Sequence, residues 1–395
     1  MRGVNLTEMR AYLLIADENF AEIATAQAAR IVRLTQDDVH LFLEGLGNGS
    51  RFKEFPSPRI HYHYDRLAKS LPQGLPVSGW LREITYYRII ALSLLSNYER
   101  VVYLDADVFF LQPNEAIWEV DLPYGIGAVH DAHMLGRLTP QRDMPKETWL
   151  RSLGIRSSLY FNAGILAVDP KKWGEIDRVD KLANYAARYR EQMRFADQDF
   201  LNHEFQDRWT ELSPRFNFQR RLLGRGYARN INPALIHFNN PDRPWLNRWM
   251  SRHTAAGRSF SRLYAHALQE AGFSIDKYHR PTRMLFAYRR APAHLRSLLR
   301  QLGCPQAFFP IATRGWTNSR REFRDYFEDA YANKRFADLQ ERIEPQELPL
   351  LHGGYRFEVD ESDYWDQFLE ADRHSMPLSG NDEAAHAATH QGETL

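Results

Sequence analysis

Two carboxylates, Asp105 and Asp107, stand between the apolar runs Val101-Val102-Tyr103-Leu104 and Val108-Phe109-Phe110-Leu111. Such a pair can hold a divalent cation through hard oxygen ligands and leave positions open for phosphate oxygens. In extended chain, residues two apart face the same side, so both carboxylates address one point. An Asp pair at a strand end is often only a solvated turn. Here core residues bracket it on both sides, which favours a site. Other polar residues interrupt or end apolar runs in the same way. They are Asp17 and Asn19, Asp131, Asn162, the Asp197-Gln198-Asp199 triplet, and His237.

The elements that must position these groups read as an α/β chain. Ala11–Ala16 reads as a buried strand, because it is apolar without alternation. Ala21–Leu34 reads as a helix, Val39–Leu43 as a second strand and Ile60–Tyr64 as a third. Arg82–Leu95 reads as a helix feeding the strand that ends at Asp105, with Tyr87-Arg88 inside it. Tyr124–Val129 and Tyr160–Val168 read as strands, and Thr139–Gly154 as a loop with a helix. Asp169 then Pro170 is a helix start signal, here for one long amphipathic helix. Asp197 opens a short helix through Phe205, where the triplet would serve by itself as an N-cap. Leu235–Phe238 is a last short strand. Strands and helices in this order build a doubly wound nucleotide-binding sheet, whose ligands sit at the carboxyl ends of the strands. No G-x-G-x-x-G follows the first strand, so a dinucleotide fingerprint is absent.

The bulk composition narrows the classes. The chain has 395 residues, a hydrophobic fraction of 44% and a formal net charge of +1. The charge gives no reason to expect nucleic acid as a partner. The chain has 1 cysteine, Cys304, so an intrachain disulfide is excluded and a reducing compartment, the cytoplasm, is expected. Residues 1–249 read as the nucleotide-binding domain, 250–375 as a mostly helical extension, and 376–395 as a disordered tail of small and polar residues. Within the extension, 277–300 carries seven Lys and Arg residues and no acidic residue. A stretch of this kind can make peripheral contact with an anionic membrane, here the inner face of the plasma membrane. The competing reading is a solvated helix balanced by the acidic region Asp325–Glu370.

Six motifs now stand in order: I-A-D-E-N, Y-Y-R, Y-L-D-A-D-V, Y-F-N-A-G-I-L, A-D-Q-D and H-F-N-N-P-D-R-P-W. From Arg10 to Trp249 this series resembles glycosyltransferase family 8, retaining enzymes that include bacterial lipopolysaccharide galactosyl- and glucosyltransferases and glycogenin. The resemblance implies the GT-A fold, a Rossmann-like mixed central sheet flanked by helices. It implies a UDP-sugar donor, a glycan acceptor and a bound Mn²⁺, with Mg²⁺ as the alternative. By the same resemblance Asp105, Asp107 and His237 hold the metal. Asp17 and Asn19 meet the uracil and ribose, and Ala106 and Arg88 meet the nucleotide. Asp131, Asn162, Ala163, Asp197 and Gln198 line the donor-sugar pocket. Arg88, Asp197 and Gln198 form the implied reacting face. Arg243 replaces the family's lysine beside the leaving phosphate, keeping the charge in a larger planar group. Asn240 replaces a glycine of the same motif, which bears on how that loop closes.

Two other classes share parts of this pattern. Haloacid-dehalogenase phosphohydrolases also carry D-x-D after an apolar strand. Their motif continues with Gly then Thr or Val near the start of the domain, whereas Val108-Phe109 follows here. A catalytically silent sugar-nucleotide binder would retain binding without turnover.

Overall fold

The computed structural model describes residues 9–374, apart from 48–51, 78–82, 136–143, 240–242, 247–254, 279–309, 347–349, 352–353, 356–358 and 360. Asn240, the basic stretch beyond Tyr278 and the tail from Ser375 therefore lie outside the described residues.

The chain opens with β1 (Arg10–Asp17), α1 (Ala21–Leu34), β2 (Asp38–Glu44), β3 (Ile60–Tyr64) and α2 (Tyr87–Ser93). The acidic motif follows, with β4 (Arg100–Asp105) before it and β5 (Val108–Phe110) after it. Next come α3 (Ala116–Glu119), β6 (Ile126–His130), α4 (Lys146–Ser152), β7 (Phe161–Val168), α5 (Pro170–Gly174), α6 (Arg178–Tyr189) and α7 (Asp197–Phe205). Then β8 (Thr210–Leu212), β9 (Phe218–Gln219), α8 (Ala228–Ile231) and β10 (Leu235–His237) complete the region of the six motifs. The chain continues through α9 (Ala255–Glu270), α10 (Pro310–Ala332), the hairpin β11 (Leu350–Leu351) and β12 (Gly354–Tyr355), and α11 (Ser362–His374).

Seven strands form one mixed sheet in the order β3-β2-β1-β4-β7-β6-β8. The first four are parallel, and β7 runs antiparallel to both β4 and β6. Alternate residues of β1 serve the two faces, as the pleat requires. Leu13 and Ile15 pack with Ile89 and Leu92 of α2, while Tyr12 and Leu14 pack with Ala24, Ala28 and Ile31 of α1. The sheet is the Rossmann-like one expected, and the C-terminal part is mostly helical. Among the described residues, no helix is long and apolar enough to cross a membrane.

A second sheet of three strands, β5-β10-β9, stands behind the acidic motif. Phe109, Phe218 and Ile236 from it share a core with Leu263 and Tyr264 of α9, Phe323 and Phe327 of α10, and Trp365 of α11. One buried arginine ties these parts together. Arg30 of α1 donates to the carbonyls of Phe110 (2.6 Å) and Leu111 (3.0 Å) and to Asp372 of α11 (2.5 Å).

Three local expectations need correction. The helix read over Arg82–Leu95 is a 3-10 turn, Glu83–Tyr86, followed by the shorter α2. At the junction the Thr85 carbonyl accepts from the Arg88 side chain at 2.9 Å. The long helix read from Asp169 is two helices. Asp169 caps α5 as expected, but α5 ends at Gly174 and Asp177 caps α6 afresh through the N–H groups of Val179 and Asp180. The triplet at 197–199 does not cap its helix. Ala196 holds the cap position at a φ of 52°, without a side-chain cap. The Asp199 carboxylate instead accepts from the N–H groups of Arg194 and Phe195 and from the Tyr160 hydroxyl.

Candidate active site

β4 delivers Asp105 at its carboxyl end, and a tight turn through Ala106 brings Asp107 round before β5 begins. β10 pairs antiparallel with β5, with His237 opposite Val108. The Phe238 N–H donates to the Asp107 carbonyl at 3.1 Å, so β10 is pinned beside the acidic turn. Residues 130 positions apart in sequence thereby converge. Ligand atoms of Asp105, Asp107 and His237 all lie within 4.8 Å of one another. His237 Nε2 stands 3.3 Å from Asp107 Oδ1 and 3.8 Å from Asp105 Oδ2. His237 and Asp107 are buried, and Asp105 is half-buried on the open side.

Two cations balance the carboxylates. Arg88, fully enclosed, places Nη2 3.1 Å from Asp105 Oδ1 and Nε 2.8 Å from Asp197 Oδ2. It also donates to the Ala163 carbonyl, and its guanidinium lies 4.6 Å from the ring centre of Tyr103. Tyr103, which reads as plain core, donates its hydroxyl to Asp105 at 2.5 Å. Arg243 places Nη2 3.1 Å from Asp107 Oδ2 and lies over the Phe20 ring at 4.7 Å. Burial works to raise the Asp107 carboxyl, but His237 and Arg243 outweigh it and hold it at about 2. Burial pushes the Asp197 carboxyl up, against the pull of Arg88.

Asp131, Asn162, Ala163 and Gln198, read as part of a sugar pocket, form one hydrogen-bonded cluster, while Asp197 pairs with Arg88. β7 loses register with β6 after Ala128, where Val129 pairs with Asn162 instead of the next residue in line. Ala163 and Gly164 are thereby freed from the β6 ladder, which frees their backbone for other partners. The Ala163 N–H donates to Gln198 Oε1 at 3.0 Å. Gln198 Nε2 and Asn162 Nδ2 donate to Asp131 Oδ2 at 2.9 and 3.2 Å. His133 supplies its N–H and ring to the other Asp131 oxygen. Burial favours the neutral acid, yet His133 and Asn162 keep the Asp131 carboxyl below the usual range.

Asp17 and Asn19 lie at the carboxyl end of β1, on the edge of this arrangement. The Asn19 N–H donates to Asp17 Oδ1 at 2.9 Å, so the pair forms the ordinary strand-end turn. The side chain of Asn19 is left outward and exposed.

A family model described as Glycosyl transferase family 8 matches residues 15–248, more than half of the chain. The chain belongs to glycosyl transferase family 8. General stress protein A of Bacillus subtilis is 31% identical over 185 residues, covering 42% of this chain and 61% of that protein. Glycosyltransferase GlyF of Streptococcus pneumoniae is 28% identical over 193 residues, covering 47% of this chain and 44% of its own length. The chain thus spans less than two thirds of these relatives. Among solved structures, the galactosyltransferase LgtC, in complex with donor and acceptor sugar analogs, matches with a TM-score of 0.51 at 22% identity. The match covers 64% of this chain and 95% of that one. The bifunctional glycosyltransferase WbbM matches with a TM-score of 0.52 at 19% identity, over 70% of this chain and 53% of that one. At these identities the likeness is one of fold, and the fold is the GT-A fold that the six motifs imply.

For this family 8 chain, Asn217 and the role of Gly164 escaped sequence reasoning, as did the hydroxyl of Tyr103. Asn217, between β8 and β9, is fully buried and contacts both His237 and Asn162. Its only signal is the alternation of Asn217 and Gln219 with Phe216 and Phe218, polar residues inside an aromatic run. Gly164 could equally be a turn residue by composition, whereas its lack of a side chain makes room for the His237 ring.

Proposed function

We propose that the chain is a metal-dependent retaining hexosyltransferase. It moves a hexose from a UDP-sugar to a glycan acceptor, in the class of lipopolysaccharide or another cell-surface glycan. The observation that carries this reading is the convergence of Asp105, Asp107 and His237 beside the buried Arg88. The donor set fits the metal: two carboxylates and one imidazole suit Mn²⁺, with Mg²⁺ the harder alternative. A cation held there would neutralise the diphosphate of the donor and make it a better leaving group. A hexose donor is in keeping with LgtC, a galactosyltransferase, and with galactinol synthase 1 of Solanum lycopersicum, 29% identical over 162 residues.

The chain's own residues supply the rest. Arg88 and Arg243 present fixed positive charge where negative charge grows on the departing diphosphate. Asp17, Asn19 and Ala106 are read as the nucleotide side. Asp131, Asn162, Ala163, Asp197 and Gln198 are read as the sugar side. The sugar becomes oxocarbenium-like as its bond to phosphate breaks. Gln198 is held by Ala163 and Asp131, and an amide is a poor nucleophile. Retention is therefore assigned to attack from the leaving-group face, with a phosphate oxygen taking the acceptor's proton.

Donor hydrolysis tests the reading. Purified protein is incubated with Mn²⁺ and a panel of UDP- and GDP-sugars, and release of nucleotide diphosphate is followed, with Asp107→Ala and EDTA as controls. Release from one UDP-sugar, lost in both controls, is expected. No release together with no UDP–Mn²⁺ binding would sink the nucleotide-sugar reading. Covalent sugar trapped on Gln198 would contradict the front-face route.

A further inference from the structure

A chain of side-chain amides runs from the metal ligands to the sugar pocket, and backbone groups fix which way each amide faces. The Gly164 N–H can only donate, and it points at Asn162 Oδ1 from 3.1 Å, so that atom is the oxygen. The Asn217 atom 2.9 Å from the same oxygen must then be the amide nitrogen, Nδ2. Asn217 Oδ1 is therefore the atom that faces His237 Nδ1, at 3.2 Å. An amide oxygen only accepts, so the ring proton of neutral His237 sits on Nδ1. Nε2 keeps its lone pair, and Nε2 is the atom that faces Asp105 and Asp107. At the other end, Asn162 Nδ2 reaches Asp131 Oδ2 at 3.2 Å, consistent with the same orientation.

We infer that Asn217 is a positioning residue for the metal centre. It holds His237 in the tautomer that can ligate, and through Asn162 it joins the metal ligands to the groups read as the sugar pocket. The inference rests on the metal-dependent reading above. Metal-ligating histidines are commonly oriented by an acceptor at the other ring nitrogen, and losing that partner costs about 10–100-fold in metal affinity. Among the described residues, Asn217 is the acceptor that serves His237 Nδ1.

Calorimetric titration of Mn²⁺ into the full chain with saturating UDP tests this, on wild type, Asn217→Leu and Asn217→Asp. Asn217→Leu is expected to lose about 10–100-fold in Mn²⁺ affinity. Asn217→Asp is expected to lose less than Asn217→Leu, because a carboxylate still accepts from Nδ1 although it no longer donates to Asn162. Equal affinity in all three overturns the inference, and so does an equal loss in both variants, which would mean that accepting from Nδ1 adds nothing. Nitrogen-15 NMR of the Mg²⁺- and UDP-loaded wild type reads the ring directly, with the cation occupying the Nε2 side and His237→Asn assigning the signals. This arm stands even where Asn217→Leu fails to fold. A protonated Nδ1 is expected, and an Nδ1 without a proton overturns the inference. Absence of Mn²⁺ uptake by wild type would instead sink the metal-dependent reading, whereas uptake at equal affinity in wild type and both variants sinks only the role of Asn217.

Discussion

Gly164 lies directly against the His237 imidazole. A β-carbon on Gly164 would overlap the ring at Cε1 and come within 2.8 Å of Nδ1 and 2.9 Å of Asp105 Oδ2. The two residues sit on different sheets, β7 and β10, and the missing side chain lets the sheets meet at Asp105 and His237. Gly164→Ala is therefore expected to displace His237. Overpacking of this kind costs about 1–3 kcal/mol in stability. Metal-dependent donor hydrolysis is expected to fall by at least about 100-fold, beyond the outer-shell range. Kinetics with a parallel thermal melt check this, and wild-type turnover in a folded Gly164→Ala variant would refute it.

Arg243 is the counter-charge of Asp107, held 3.1 Å away and stacked over Phe20. Removing it should move two quantities in opposite directions. In Arg243→Ala, Mn²⁺ without nucleotide should bind more tightly, since a competing cation has left Asp107. Donor hydrolysis should drop by about 100-fold, the scale of losing one fixed donor to a developing anion. Arg243→Lys should recover part of the turnover. Calorimetry and steady-state kinetics on the same samples read both, and a parallel fall of the two would contradict the assignment.

Arg30 and Asp372 tie the last helix to the strand after the acidic turn. Both side chains are nearly fully enclosed, at 2% and 5% exposure. Burial presses the Arg30 guanidinium down, and Asp372 opposes this. Asp372→Ala leaves that charge buried and unpaired, which costs about 3–5 kcal/mol. A calorimetric melt should show a clear fall in Tm. An unchanged Tm would mean that α11 adds little to the stability of the fold.

A cluster of histidines on β2 and β3 predicts a pH dependence of stability away from the site. His40 Nε2 meets the Tyr98 hydroxyl at 2.9 Å, and that hydroxyl donates to Asp38. His40 Nδ1 then accepts from His63 Nε2 at 2.9 Å, and His61 stacks on the same ring. A protonated His40 would set two donors against each other. Burial, then the neighbouring His63 and His61, lower His40 from 6.5 to about 3. Burial, then Arg66 and His61, lower His63 from 6.5 to about 4. Both folded values lie below the unfolded one, so the unfolded chain takes up more protons on acidification. The stabilisation is complete above pH 6.5 and is lost as pH falls toward 4 and 3. Melts of wild type and His40→Leu from pH 7 to 4 check this. The variant should lose less Tm on acidification, and identical slopes would refute the account.

Much of this protein was legible without the structure. Unbroken apolar runs identified β1, β2 and β4, because a strand covered on both faces cannot alternate. The ends of α1 and β3 match the sequence reading residue for residue. Short-range capping chemistry named Asp169 and Pro170 as a helix start but not where that helix stops, since Asp177 offers an equally good second start. The order of six motifs named the family, and with it Asp105, Asp107 and His237 as a set.

Tertiary structure decided what depends on approach between distant segments. Asp197 reads as a cap, yet in the fold it is a buried partner of Arg88. The sequence marks a last short strand but not its partners, and in the fold β10 pairs with β5 and β9 in a sheet of its own, which is what carries His237 to the acidic turn. Nothing local marks Asn217 as the partner of His237, or Gly164 as the space for its ring. Periodicity and capping report a residue's neighbours along the chain. Hydrogen-bond direction and steric room are set by residues that meet only after the sheets have packed.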